Sequence, residues 1–309
     1  MADQDIRCVL RARALNGERP GWSEIERRLY WVDMRAPSLH AFDPVSGQDE
    51  CWAMPDWIGC YAFAAAGGLV VALRTGLFAF DPLDGALSFL APPPYDPRRF
   101  CFNDGRCDRQ GRFYVGPLYA PLAPRDAQPA AAQYAPVWRY GGADRWLAAT
   151  PPVKISNGLA WSPDGRLMYH SDTAQKTIWV WTYDPETGSA ENQRVFARVE
   201  RGGPDGGPDG ACVDRDGYYV CAVWGAGELL RYDPNGRLER EIRVPTQYPT
   251  MPAFGGEDLA TLFFTSASYP IPESERGADP EAGGLFAMEA PVPGLPPDYF
   301  QSIENGHPQ

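Results

Sequence analysis

Histidine is scarce in this chain: three residues in 309, at His40, His170 and His307. Mechanisms built on a histidine cluster are thereby excluded. There is no Gly-x-Ser-x-Gly elbow either, and no histidine placed to serve one, so a serine-hydrolase triad is not expected. The seven cysteines (Cys8, Cys51, Cys60, Cys101, Cys107, Cys212, Cys221) are odd in number and scattered, with no C-x-x-C. A zinc ribbon and a thioredoxin-type motif are therefore absent. Reduced, mostly buried thiols in a cytoplasmic protein are the expectation. No stretch approaches 18 apolar residues, and Met1–Ile6 is acidic without an apolar core. Neither a membrane-spanning helix nor a signal peptide is predicted. Positive charge is in short supply, with 28 Lys plus Arg against 40 Asp plus Glu, a net charge of −12. Such a surface repels nucleic-acid backbones and anionic membranes, so neither is an expected partner.

Glycine and proline are abundant, at 32 residues each. Together they make up about a fifth of the chain, against an average near 12%. Yet 44% of residues are hydrophobic and 13% aromatic, which argues for many short strands joined by tight turns rather than a disordered polymer.

One turn recurs: Phe42-Asp-Pro-Val-Ser-Gly47, Phe80-Asp-Pro-Leu-Asp-Gly85, Tyr183-Asp-Pro-Glu-Thr-Gly188 and Tyr232-Asp-Pro-Asn-Gly236. Aspartate opens it by bonding nearby backbone, proline fixes φ, and glycine supplies a positive φ. Upstream in most units lies a second turn, as in Cys107-Asp-Arg-Gln-Gly111, Trp161-Ser-Pro-Asp-Gly165 and Val213-Asp-Arg-Asp-Gly217, each followed by an apolar strand. The unit is a four-stranded antiparallel sheet of roughly 40 to 55 residues, which is a propeller blade. Six fit the chain, at about 18–55, 57–99, 103–152, 157–203, 209–247 and 250–290. The predicted fold is an all-β, six-bladed β-propeller forming one domain over 1–309. A strand within 5–14 closes the last blade, and 292–309 form a tail. A β-sandwich is the competing fold. Two Pro-rich inserts, 119–134 and 268–281, emerge at the same phase of blades three and six and are read as a rim over one channel mouth.

Four oxygen-bearing residues precede the inner strands at one phase: Glu18, Asn103, Asn157 and Asp209, separated by 85, 54 and 52 residues. Singly, each fits an ordinary inter-blade turn. In phase, they converge on the ring axis, where two carboxylates and two amides call for a divalent cation. An all-oxygen set suits Ca²⁺, Mg²⁺, Mn²⁺ or Fe(II), with Zn²⁺ admissible. Trp22, Trp161 and Trp224 follow these segments as channel plugs, or alternatively as sugar-stacking surfaces.

At these residues the sequence resembles the senescence-marker-protein (regucalcin)/gluconolactonase family from about residue 14 to 290. Five motifs carry the resemblance: Gly17-Glu-Arg-Pro-Gly-Trp22 with Arg28–Asp33; Gly67–Arg74; Phe102–Asp108 with Gly111–Gly116; Ser156–Gly165; and Pro208–Asp214. The resemblance implies a metal-dependent hydrolase converting a sugar lactone to its aldonic acid. Glu18, Asn157 and Asp209 match the metal ligands, and Asn103 matches a residue that approaches the substrate. Asp205, in the duplicated Pro-Asp-Gly, competes with Asp209, which abuts the blade-five strand directly. Where the family commonly has glycine after the ligand glutamate, this chain has Arg19. Cys101 stands where an arginine often contacts sugar hydroxyls, and Pro117–Tyr119 replace a loop with an acidic contact. Arg19, Cys101 and Tyr119 thus join Asn103 as candidate substrate contacts. Asp209 or Glu18 is the candidate general base, with Asn103 donating to a developing oxyanion or orienting the ring. The other readings are a non-catalytic, regulatory metal-binding propeller and a hydrolase of non-sugar lactones or phosphoesters. A monomer or weak homo-oligomer acting on a small sugar lactone is expected.

Overall fold

The structure, a computed structural model, describes residues 5–142 and 145–301. The inner-to-outer strands of blade one are β2 (Gly17–Ser23), β3 (Arg28–Asp33), β4 (Ser38–Phe42) and β5 (Asp49–Ala53). Blade two runs β6 (Ile58–Phe63), β7 (Leu69–Leu73), β8 (Gly76–Asp81) and β9 (Ala86–Ala91). Blade three has β10 (Phe100–Cys107), β11 (Phe113–Tyr119), β12 (Trp138–Tyr140) and β13 (Trp146–Ala148). Blade four has β14 (Ser156–Trp161), β15 (Leu167–Asp172), β16 (Thr177–Asp184) and β17 (Ser189–Arg198). Blade five has β18 (Gly207–Val213), β19 (Tyr219–Trp224), β20 (Glu228–Tyr232) and β21 (Leu238–Arg243). In blade six, β22 (Pro249–Gly255), β23 (Thr261–Ser266) and β24 (Leu285–Glu289) are completed on the outside by β1 (Arg7–Leu10). The fold is a six-bladed, all-β propeller whose helices, among the described residues, are four single 3₁₀ turns.

The repeated turns do the same work in each blade. In the Asp-Pro turns between third and fourth strands, Oδ1 of Asp43, Asp81, Asp184 and Asp233 accepts the amide N–H two residues on, at 2.8–2.9 Å. Gly47, Gly85, Gly188 and Gly236 close these turns at φ between +72° and +86°. Apolar faces of adjacent blades then pack as separate buried clusters. Tyr30, Leu39, Ile58, Tyr61 and Val71 join blades one and two, and Tyr169, Ile178, Val180, Tyr219 and Leu230 join blades four and five. Burying both faces of each sheet in this way supplies the main driving force for closing the ring.

A feature not visible in the turn pattern positions the site. Each of the six innermost strands carries a register shift against its neighbour: Glu18/Gly21, Ile58/Cys60, Phe102/Gly105, Asn157/Ala160, Pro208/Ala211 and Pro249/Pro252. An extra residue in a strand re-aims the side chains around it. The four polar candidates therefore lie at bulges within the inner strands rather than before them, and Asn157-Gly158 and Asp209-Gly210 are strand steps rather than inter-blade turns. The end of the described chain also differs from a free tail. Residues 293–301 cross the far end of the channel, with Pro293 accepting from Arg215, Gly294 donating to Leu259, Phe300 donating to Phe63 and Gln301 donating to Gly111. Residues 302–309, including His307, lie outside the described residues.

Candidate active site

Where the inner strands begin, a cavity of about 550 Å³ opens on the channel axis. Glu18, Asn103, Asn157 and Asp209 all line it, drawn from blades one, three, four and five, and each is at least 92% buried. Asn103 donates through Nδ2 to Asn157 Oδ1 and to the Ser156 carbonyl, both at 2.8 Å. Asn157 Nδ2 donates to Thr173 Oγ1 at 2.8 Å, and the Thr173 hydroxyl donates to the Pro208 carbonyl at 2.7 Å. This relay ties three blades together and fixes both amides. It also commits both Nδ2 hydrogens of Asn103, so what Asn103 offers the cavity is its carbonyl oxygen. The expected donor role toward an oxyanion is not available to it in this geometry.

Glu18 and Asp209 face the same space. Neither takes part in an ion pair among the described residues. Burial pushes the Glu18 carboxyl well above the usual range, and the nearby charges of Asp209 and Asp104 push it further. Asp209 is raised in the same way, by burial first and then by Asp104. Asp104 lies beneath them in the bulge of β10. Its Oδ2 accepts from the Leu159 amide at 2.9 Å, while Oδ1 is buried with no hydrogen-bond partner among the described residues. Like charges crowded in a low-dielectric site are costly unless a positive centre joins them. The donor set thus fits a divalent cation held by Glu18, Asn157 and Asp209. Asp205 also lines the cavity, but it sits exposed on the loop before β18, above the buried Asp209.

Tyr119 is brought to this cavity, with its hydroxyl accepting from the Gln128 amide of the first insert. Two other expected contacts are not. Cys101 is fully buried, with its Sγ 3.8 Å from the Leu118 carbonyl, and burial pushes its thiol up to about 12. A protonated thiol with no surface toward the cavity neither binds substrate nor attacks it. Arg19 adopts φ +48° at the bulge of β2, and its guanidinium lies at the opposite end of the inner strands, 5.3 Å from the Tyr61 ring. The bulge reverses the direction that sequence adjacency to Glu18 implies.

The sequence reading missed several lining residues. Arg35 and Tyr269 meet face to face, the guanidinium carbon 3.7 Å from the ring centroid, and Trp57 lies 5.6 Å from the same group. Arg74 is buried and donates to the carbonyls of Pro97, Phe100 and Ala120, fastening the first insert's base to blade two. Arg74 ends one of the motifs named above, so a signal for it existed. Tyr269 lies in the second of the two inserts read as a rim, so its neighbourhood was signalled too, whereas Arg35 sits in a loop with no periodic signature. Of the three tryptophans, only Trp224 lines this cavity, packed 5.5 Å from Tyr269; Trp22 and Trp161 lie at the far end. Both inserts begin at the cavity, through Tyr119–Pro121 and Tyr269.

Comparison with known proteins bears on this arrangement. Residues 16–268 match the sequence model of the SMP-30/gluconolactonase/LRE-like region. The chain belongs to this family. Over 300 residues it is 37% identical to a 6-deoxy-6-sulfogluconolactonase of Pseudomonas putida, covering 96% of this chain and 99% of that one. An L-arabinolactonase of Azospirillum brasilense is 35% identical over 94% of this chain and 93% of its own. In structure the chain resembles a calcium-binding regucalcin of Agrobacterium tumefaciens, with a TM-score of 0.87, 26% identity, and coverage of 97% and 99%. Among the described residues, no helix is long and apolar enough to cross a membrane.

Proposed function

We propose that this protein is a divalent-metal-dependent lactonase that opens a sugar lactone to the corresponding aldonic acid. The observation that carries this reading is the pair of buried, uncompensated carboxylates, Glu18 and Asp209, beside Asn157 at the floor of a 550 Å³ cavity. A sugar lactone fits such a volume. The lactonase relatives support the substrate class.

The cation would be held by Glu18, Asn157 and Asp209, and when bound it supplies Lewis acidity to a carbonyl and lowers the pKa of water. The protein's own residues do the rest. Asp209, or Glu18, accepts the proton of the water that attacks the ring carbonyl. The acyl C–O bond of the ring then breaks, and the departing oxygen takes up a proton to become a hydroxyl. No covalent enzyme intermediate is needed. Asn103, held by its two donated bonds, accepts from a substrate hydroxyl and so orients the ring. Trp224 and Tyr269 form the wall against which the sugar's C–H face packs. Arg35, exposed at the mouth and paired with no carboxylate among the described residues, suits an anionic substituent at the outer end of the lactone.

The test is acid release from five- and six-carbon aldonolactones, including one with a terminal sulfonate, using chelator-stripped protein with metals restored singly. Metal-dependent acceleration on at least one lactone is expected, and Arg35→Ala is expected to raise KM for the sulfonated substrate more than for neutral ones. Metal binding without turnover of any lactone would instead identify a non-catalytic metal-binding protein.

A further inference from the structure

The other end of the channel carries a second, smaller site that lactone hydrolysis does not use. A cavity of about 80 Å³ lies where the inner strands finish, lined among others by Arg19, Arg106, Arg109, Trp161 and Asp298. Four buried N–H donors there have no acceptor among the described residues: Nε of Arg19, Arg106 and Arg109, and Nε1 of Trp161. Arg19 and Trp161 are more than nine-tenths buried, at 9% and 5% exposure. Leaving one such donor unpaired is uncommon; four converging on one space is a pattern that calls for an acceptor.

Charge points the same way. Three guanidiniums line the cavity with one carboxylate, Asp298, which stands 3.5 Å from Arg109, and the buried Asp104 acts on Arg106 from the same strand. Arg19 and Arg106 form no ion pair among the described residues. Among the described residues, the Arg19 guanidinium donates to the Pro20 carbonyl at 3.3 Å and lies over the Tyr61 ring, and that of Arg106 donates to the Ala211 carbonyl at 3.0 Å. Burial and then the charge of Arg19 disfavour the cation at Arg106, and outweigh the opposing charges of Asp104 and Asp298. Nor is the arrangement loose. Arg19 holds a left-handed backbone, uncommon for a residue with a side chain, and that conformation turns it to this end.

We propose that this far-end cavity binds a small inorganic anion, a halide or a tetrahedral oxyanion, through Arg19, Arg106, Arg109 and Trp161. Guanidinium and indole N–H groups are suited to both. The bound anion would join blades one, three and four to the C-terminal segment carrying Asp298, holding that segment across the channel.

The probes are sodium bromide and sodium phosphate, compared at fixed ionic strength with the sodium salt of a bulky sulfonate buffer too large for the cavity. In thermal unfolding of the full chain, bromide, phosphate or both are expected to raise Tm to a plateau that the bulky anion does not reproduce. Arg19→Met should abolish the plateau while keeping the β-sheet circular dichroism. Crystals grown with bromide should show an anomalous peak among the Arg19, Arg106 and Arg109 Nε atoms. The two salts distinguish a halide site from an oxyanion site, and a plateau with either supports the proposal. Equal Tm in all three salts, with no bromide peak in the wild-type crystal, overturns it, and the crystal decides the matter even if Arg19→Met does not fold.

Discussion

Glu18 and Asp209 owe their chemistry to burial and to each other. A carboxylate exposed to water would be an ordinary surface charge; held together with Asp104 nearby, these two bind protons more tightly than they would in an unfolded chain. Their raised pKa values disfavour the ionised, metal-free fold as pH rises above the usual carboxylate range. A divalent cation should therefore raise the Tm of chelator-stripped protein more at pH 7.5 than at pH 5, as thermal unfolding at the two pH values would show. His170 titrates with the opposite sign. It is fully buried in β15, 2.8 Å from Ser156 Oγ, and burial pushes its pKa down to about 3. The neutral ring is what the fold accommodates, so its contribution is fully present above about pH 6.5 and is lost as pH falls from there toward 3. Denaturant unfolding should show wild type losing up to about 1.4 kcal/mol per pH unit more than His170→Gln in that window. At this scale, residue type and phase made Glu18, Asn103, Asn157 and Asp209 legible in the sequence. Two expected contacts lie elsewhere for different reasons: the left-handed bulge residue Arg19 points to the far end although it adjoins Glu18 in sequence, and Cys101, expected at a position where the family often has arginine, carries a short side chain that stays buried against the Leu118 carbonyl.

The inner-strand bulge is the element that builds the site. At Gly158 the backbone sits at φ +62°, and a Cβ there would lie 2.2 Å from the Tyr219 hydroxyl and 2.9 Å from Ser171 Oγ. Tyr219 in turn donates to the Gly158 carbonyl at 2.8 Å, locking β14 to blade five. Gly158→Ala should cost roughly 2 to 4 kcal/mol, from strain and overpacking together. Because the same bulge aims Asn157, kcat should fall as well. A Tm drop without loss of activity in the surviving folded protein would show that the bulge does not position Asn157. The turn repeats were legible because Asp, Pro and Gly each have a short-range reason to be there. The bulges were not, since a register shift is defined by two strands, and the sequence of either one alone does not contain it.

For the molecule as a whole, the ring depends on its two ends being fastened. The outer strand of blade six is β1, paired with β24 through Arg7–Ala287 and Cys8–Phe286. Without it, β24 presents an open edge. Removing residues 1–11 should lower Tm and promote concentration-dependent association, measurable by light scattering, while leaving the distant cavity residues in place. Six blades and their approximate limits follow from the turn period, and the first and last elements need the closed ring to be understood. The crossing of residues 293–301 over the channel is a tertiary fact with no local signature. So is the gathering of Glu18, Asn103, Asn157 and Asp209 at one mouth and of Arg19, Arg106 and Arg109 at the other.

The central claim is that Glu18, Asn157 and Asp209 form one metal-dependent catalytic centre. The most direct test measures, on the same chelator-stripped samples, divalent-cation binding by calorimetry and lactone opening by acid release, for wild type and Asp209→Asn. The account predicts that wild type binds one cation and gains turnover in step with occupancy. Asp209→Asn should remain folded, bind at least tenfold more weakly, and lose turnover by at least a hundredfold. Undiminished cation binding and turnover in Asp209→Asn, or lactone opening by wild type that ignores the cation, would contradict it.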